Sequence, residues 1–320
     1  MLVHTFSSTP AGVLLAAVTS VSLFLCGCSS EDEGNTTASS ASTSQRTPNA
    51  PELGAQDDLL AVARNEDIAV LTPKIVQTYP FDATSFTQGL EYDAGREEIL
   101  VGTGQYGESR IYRSSLDGEQ HVTAALDPDF FGEGIATTSE KIWQITWQDE
   151  VAIARDPETL AEQERVKYSG EGWGLCTIPA TKDAPERLVL SDGSAQLSIR
   201  DAASFAELER IPVTLAGAGV TNLNELACVS QADTPEDLGA EFVVYANIFL
   251  STDVVRIAFD DANRGEVTAV IDGAALPNNA SANINNVLNG IAHVPGTAEY
   301  LMTGKRWPDL YRVEFVAPDI

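Results

Sequence analysis

Short alternations of apolar and polar residues, bounded by Gly, Asp, Asn and Pro, recur along the chain from about residue 74 onward. EEILVGTG (Glu97–Gly104), KIWQITW (Lys141–Trp147), QLSIRD (Gln196–Asp201), EFVVYANIF (Glu241–Phe249) and LYRVEF (Leu310–Phe315) are examples. A period of two residues belongs to strands with one face on a core, and the turn residues between them predict many short antiparallel strands. Beyond the N-terminal leader, helical periodicity is nearly absent.

A longer period overlies the alternation. FTQGL (Phe86–Leu90), FGEGI (Phe131–Ile135), EGWGL (Glu171–Leu175), LNELA (Leu223–Ala227) and LNGIA (Leu288–Ala292) follow one another at intervals of roughly 40 to 65 residues, the spacing of propeller blades. The pattern predicts an all-β fold, a five-bladed β-propeller, in which the equivalent strand of each blade lines a central channel. Each copy carries one distinctive side chain two positions before an apolar residue: Gln88, Glu133, Trp173, Asn224 and Asn289. A side chain repeated once per blade becomes a ring around one cavity. Packing where blades crowd the axis explains small residues, but not an acid, amides and an aromatic at one repeat position. Lys74–Pro80, ahead of the first copy, is expected to pair with the last blade and close the ring, removing the sheet edges.

The first part of the chain reads differently. Ala11–Leu25 is an apolar run too short to span a bilayer, and it ends in Leu25-Cys26-Gly27-Cys28, which resembles a bacterial lipobox. Residues 1–27 are therefore expected to be a signal peptide and Cys28 a lipidated N-terminus, with a plain secretory signal as the alternative because the start carries His4 but no Lys or Arg. Residues 28–73, including the Ser/Thr tract Thr36–Ser44, are expected to form a flexible linker, with a short helix over Asp57–Leu71 as the alternative there, and 74–320 the folded domain. The expected location is extracytoplasmic, on a bacterial cell envelope, with membrane contact only through the lipid.

Net charge is -28, from 47 acidic and 19 basic residues, which argues against a nucleic-acid partner. Cys176 and Cys228 follow the third and fourth repeat copies. Their alignment differs by one residue, which would place them on opposite strand faces, and a disulfide between them is left open. GTGQYG (Gly102–Gly107) leads into the strand-like SRIYRSSL, so no helix N-terminus follows to hold a pyrophosphate. Past the leader only His121 and His293 remain, too few for a histidine zinc site or a Ser-His hydrolase. Carboxylate, amide, lysine and tryptophan chemistry is left.

Longer motifs surround the copies: QITW (Gln144–Trp147), YSGEGWGL (Tyr168–Leu175), LSDGSAQL (Leu190–Leu197), YANI (Tyr245–Ile248) and TGKRWPDLY (Thr303–Tyr311). From about Val76 to Val316 this order resembles the glutamine cyclotransferase family, the plant and bacterial type of glutaminyl-peptide cyclotransferase. The resemblance implies an acyl-transfer enzyme, acting without a catalytic metal, that closes the N-terminal glutamine of peptides or proteins to pyroglutamate and releases ammonia. It implies Glu133 as proton shuttle, Lys305 as stabiliser of the oxyanion or of the carboxylate, Gln88 and Asn224 as substrate amide and amine ligands, and Trp147, Trp173 and Phe86 as walls. Phe249 stands where the family usually has a tryptophan, and its phenyl ring is expected to serve as an apolar wall. No cofactor is expected to be required, although a structural calcium ion in the channel fits such a fold, and the protein is expected to be a monomer. The competing reading is a non-catalytic propeller lipoprotein that binds peptide or glycan at the channel mouth.

Overall fold

The computed structural model describes residues 51–260 and 262–318. The expected signal peptide, Cys28 and the first part of the linker lie outside them. Among the described residues strands dominate, with one α-helix, Leu59–Asn65. Three antiparallel sheets each hold four strands in chain order: Thr87–Asp93 to Gln120–Ala125, Gly132–Thr137 to Glu162–Lys167, and Leu175–Ile178 to Glu207–Pro212. An eight-stranded sheet contains a four-strand meander, Leu223–Ser230 to Val267–Asp272, and a three-strand meander, Leu288–His293 to Asp309–Val316, with strand Ala69–Pro80 between them. Ala69–Leu71 run parallel to Ala269–Ile271, while Thr72–Pro80 run antiparallel to Asp309–Val316. The strand expected at Lys74–Pro80 thus joins the last meander as its outermost member and also bonds the meander before it.

The first strand of each meander packs against the first strand of the next, and Leu288–His293 packs back on Thr87–Asp93. The inner strands therefore form a closed circuit, and the architecture is all-β and propeller-like. In the three four-stranded sheets the outermost strand is the least buried. Gly132–Thr137, Ile142–Thr146 and Val151–Arg155 are almost wholly buried, whereas Glu162–Lys167 is mostly exposed. Strands sandwiched between neighbouring sheets lose alternation because both faces are covered.

The folded region starts earlier than residue 74. Glu52–Leu53 pairs with Gly219–Val220, and helix Leu59–Asn65 buries Leu59 and Ala63 in a core cluster with Val213, Val220 and Val270. Asp58 caps that helix by accepting a hydrogen bond from the Ala61 N–H at 2.8 Å. Leu53, Leu60, Val62, Ile68 and Val70 pack against the same cluster, so the segment docks along its apolar residues.

Cys176 and Cys228 are joined, with Cα atoms 5.5 Å apart. The alternation argument against the pair fails because the two sheets stack face to face: neighbouring sheets present opposite faces to the layer they share, so a one-residue offset puts both cysteines in the cluster between them. The bond spans a sequence separation of 52, so on the chain-entropy account it contributes about 4 kcal/mol. Replacing both cysteines by serine is expected to lower the denaturant midpoint accordingly; an unchanged midpoint would show that the bond adds nothing to the fold.

Candidate active site

Bulges place the repeated side chains. Register shifts fall between Thr87 and Gly89, Gly132 and Ile135, Leu223 and Leu226, and Leu288 and Ile291. Gln88, Glu133, Asn224 and Asn289 lie within these steps. A bulge re-aims a side chain that regular alternation would fix. Trp173 stands in the extended segment just before strand Leu175–Ile178. A cavity of about 240 Å³ collects the result: Phe86, Gln88, Glu133, Trp147, Trp173, Asn224, Phe249 and Lys305 all line it, joined by Gln105, Phe131 and Asn285. A larger cavity of about 460 Å³ is lined by later positions of the same inner strands, such as Leu90, Leu226 and Ile291. It contains none of the expected site side chains, so size does not mark the chemistry here.

Glu133 is 4% exposed and Lys305 3%. Burial pushes the Glu133 carboxyl well above the ordinary carboxylate range; the Lys305 charge pulls it back and Glu171 adds to the rise. Burial lowers Lys305 to about 8, against the attraction of Glu133. The pair is not joined as a salt bridge among the described residues, so each acts on the other across the cavity. Lys305 Nζ stands 4.9 Å from the Phe86 ring centre and 4.7 Å from that of Phe249. Two aromatic faces thus hold the ammonium where a solvated lysine would not stay, and the Phe249 ring lines the cavity.

A hydrogen-bonded relay fixes the acid. Gln88 Nε2 donates to Glu133 Oε1 at 2.8 Å. Asn289 Nδ2 in turn donates to Gln88 Oε1 at 3.0 Å and to the Thr87 carbonyl at 2.9 Å. Gln88, expected as a substrate ligand, lines the cavity and holds Glu133, and Asn289 holds Gln88. Asn224 is 2% exposed and turned to the cavity, where its amide remains available to a ligand.

The walls are held from behind. Glu171 accepts the indole N–H of Trp147 at 2.8 Å and of Trp173 at 2.9 Å, and the Gln148 amide at 2.8 Å. Burial raises the Glu171 carboxyl, but these bonds outweigh it and its pKa ends below the ordinary value. Phe131 packs edge-on to Phe86 and Trp147, with ring centres 6.0 and 5.7 Å apart, and Trp173 meets Phe249 at 5.5 Å. Glu171→Ala releases both indoles. The expected result is a KM for substrate raised about tenfold with kcat little changed, the equivalent of one or two lost charge-assisted hydrogen bonds; an unchanged KM would show that the indoles keep their places without it.

Sequence reasoning missed Phe131, Gln105, Asn285 and the role of Glu171. Phe131 was findable, since it precedes Glu133 by two residues as Phe86 precedes Gln88. Asn285 lies in an Asn-rich loop with no distinguishing signal. Trp307 and Trp143 are packing residues. Trp307 is 2% exposed and donates to the Asn286 carbonyl, and Trp143 donates to the Ala202 carbonyl within a core cluster.

Fold and site together define a propeller-like protein whose inner strands bring a buried acid, a buried lysine and amides into one aromatic cavity. The chain matches the glutamine cyclotransferase family over residues 49–315 and belongs to it. A glutaminyl-peptide cyclotransferase of Arabidopsis thaliana is 29% identical over 244 residues, covering 75% of this chain and 70% of that protein. The crystal structure of Myxococcus xanthus glutaminyl cyclase superposes with a TM-score of 0.67 at 31% identity, over 79% of this chain and all of the other.

Proposed function

We propose that the chain is a glutaminyl-peptide cyclotransferase, an acyl-transfer enzyme built on a five-bladed propeller. Family membership supports the reaction, and the Glu133–Gln88–Asn289 relay facing Lys305 in an aromatic cavity is the observation that carries the mechanism. At about 240 Å³ the cavity is smaller than pockets for drug-sized ligands, ~300–1,000 Å³, and suits one terminal residue whose chain leaves through the mouth. Blade count follows from the five inner strands, with Ala69–Pro80 as the outer strand of the last blade.

The reaction joins the substrate's α-nitrogen to its own γ-amide carbon. Trp147, Trp173, Phe131 and Phe249 fold the side chain so that nitrogen and carbon meet, converting orientation into rate. Glu133, in carboxylate form, takes a proton from the attacking amine; Lys305 as ammonium stabilises the oxygen that gains negative charge. Glu133 then returns the proton to the departing nitrogen, the C–N bond breaks, and ammonia leaves with the carboxylate restored. A carboxyl raised by burial is suited to both halves of this exchange. No step is routed through a metal ion or cofactor, and a structural ion in the channel would leave these roles unchanged.

The proposal extends to setting. Cys28 as a lipid anchor after a signal peptide, with a spacer before residue 51, would present a monomeric domain to extracytoplasmic peptides bearing N-terminal glutamine. The disulfide supports an oxidising compartment. Ammonia release from a short peptide with N-terminal glutamine, measured with the purified chain and confirmed by product mass, tests the reaction. Absence of turnover by folded protein would favour the peptide-binding reading.

A further inference from the structure

Four repeat copies place glycine after the distinctive side chain: Gly89, Gly134, Gly174 and Gly290. The fourth copy in chain order has Glu225 there instead. At most of these positions neighbouring inner strands leave no space. A Cβ on Gly134 would stand 2.5 Å from the Leu175 nitrogen, and one on Gly174 2.1 Å from the Asn224 carbonyl oxygen. Glu225 is 1% exposed and reaches across the axis. Its Oε1 accepts the Leu90 N–H at 3.1 Å and its Oε2 accepts the Ile291 N–H at 2.9 Å.

Those amides belong to the strands that carry the relay. Leu90 is two residues beyond Gln88, and Ile291 is two beyond Asn289. Glu225 itself adjoins Asn224. The other links around the circuit join neighbouring copies, as Gly134 N–H to Trp173 O at 2.9 Å and Ser191 Oγ to Asn224 O at 2.6 Å. Glu225 ties the fourth copy to both the fifth and the first. Buried carboxylates are costly, and inner strand edges carry unpaired N–H groups; here each need answers the other.

We propose that Glu225 is a positioning residue for the reaction: by gripping the Leu90 and Ile291 N–H groups it fixes the bulges that hold Gln88 and Asn289, and through them the orientation of Glu133. This rests on the reading of Glu133 as proton shuttle. Glu225→Gln keeps the shape but turns one acceptor into a donor, so whichever way the amide rotates, an N–H faces an N–H. Glu225→Asp is shorter yet accepts on both oxygens.

The test measures kcat and KM of the full chain on a glutamine peptide. Glu225→Gln is expected to lower kcat on the order of 10- to 100-fold, the scale of a misplaced catalytic group, with KM within about threefold. Glu225→Asp is expected to retain more rate than the isosteric Gln variant, the reverse of what a space-filling role gives. Adding Asn289→Ala is expected to cost the Gln variant less than it costs the wild type, because both act on one relay. A Gln variant within about twofold of wild type, an Asp variant worse than Gln, or additive losses would each overturn the inference. Should the Gln variant not fold, the Asp variant crossed with Asn289→Ala gives the same decision. Amide exchange at Leu90 and Ile291, slow in wild type and faster in the variant, reads the grip without catalysis. A wild type without turnover would therefore sink the proposed reaction and leave the grip measurable.

Discussion

Glu133→Gln is expected to reduce kcat about a thousandfold while leaving KM nearly unchanged. The amide fills the same space and can still accept from Gln88 Nε2, which reaches Glu133 at 2.8 Å in the wild type. It cannot take a proton from the attacking amine or deliver one to departing nitrogen, and general acid–base catalysis of this type contributes ~10² to 10⁴. Stability is expected to hold or rise, since burial disfavours the carboxylate and lifts its pKa well above normal. In the variant Lys305 loses the attraction of Glu133 and falls further below its wild-type value of about 8. Peptide turnover and a thermal melt decide the matter together. Full turnover would retain the enzyme and remove Glu133 from the proton path, whereas loss of both turnover and folding would show that the carboxyl is structural.

Lys305→Met is expected to show the opposite directions of activity and stability most clearly. The methionine fills the slot between Phe86 and Phe249 without charge, so the developing oxyanion loses its nearest cation, a loss of ~10²- to 10³-fold in kcat by analogy with other oxyanion donors. Lys305 has a folded pKa of about 8 against 10.5 for a free lysine. Below pH 8 both folded and unfolded chains are protonated and the full burial cost is present, roughly 3 kcal/mol. Between pH 8 and 10.5 the unfolded chain binds the extra proton, so wild-type stability recovers as pH rises. The variant is therefore expected to be more stable at pH 7, with its advantage vanishing towards pH 10.5. In the wild type, activity is expected to decline as pH rises through about 8, when the ammonium discharges. Retained activity would remove Lys305 from the mechanism, and an unchanged melt would show that its burial is compensated.

Much of this site was legible because one side chain per repeat differs in a constant frame. Gln88, Glu133, Trp173 and Asn224 were readable as a ring before any geometry, and Lys305 came from the TGKRWP motif. What the frame hid were consequences of sheet stacking and of broken alternation. Cys176 and Cys228 meet because stacked sheets turn opposite faces to one another, and a bulge lets Asn289 turn onto Gln88. Glu171 escaped because its partners, the Trp147 and Trp173 indoles, converge only after two sheets pack. Residues 51–73 were legible only as an open choice: the run Leu59–Ala63 allows a short helix, but its docking depends on Val213, Val220 and Val270, far along the chain.

The place of strand Ala69–Pro80 also sets the order in which the molecule can be completed. Its partners, Asp309–Val316, follow every other described strand, so the circuit closes only when that strand is in place. Single meanders can form as they emerge, because their pairings are local, but closure has high contact order and comes late. The cavity draws its residues from Phe86 to Lys305 and therefore waits on the same event. Until the two distant strands meet, the molecule is a row of separate meanders with no site to poison or protect.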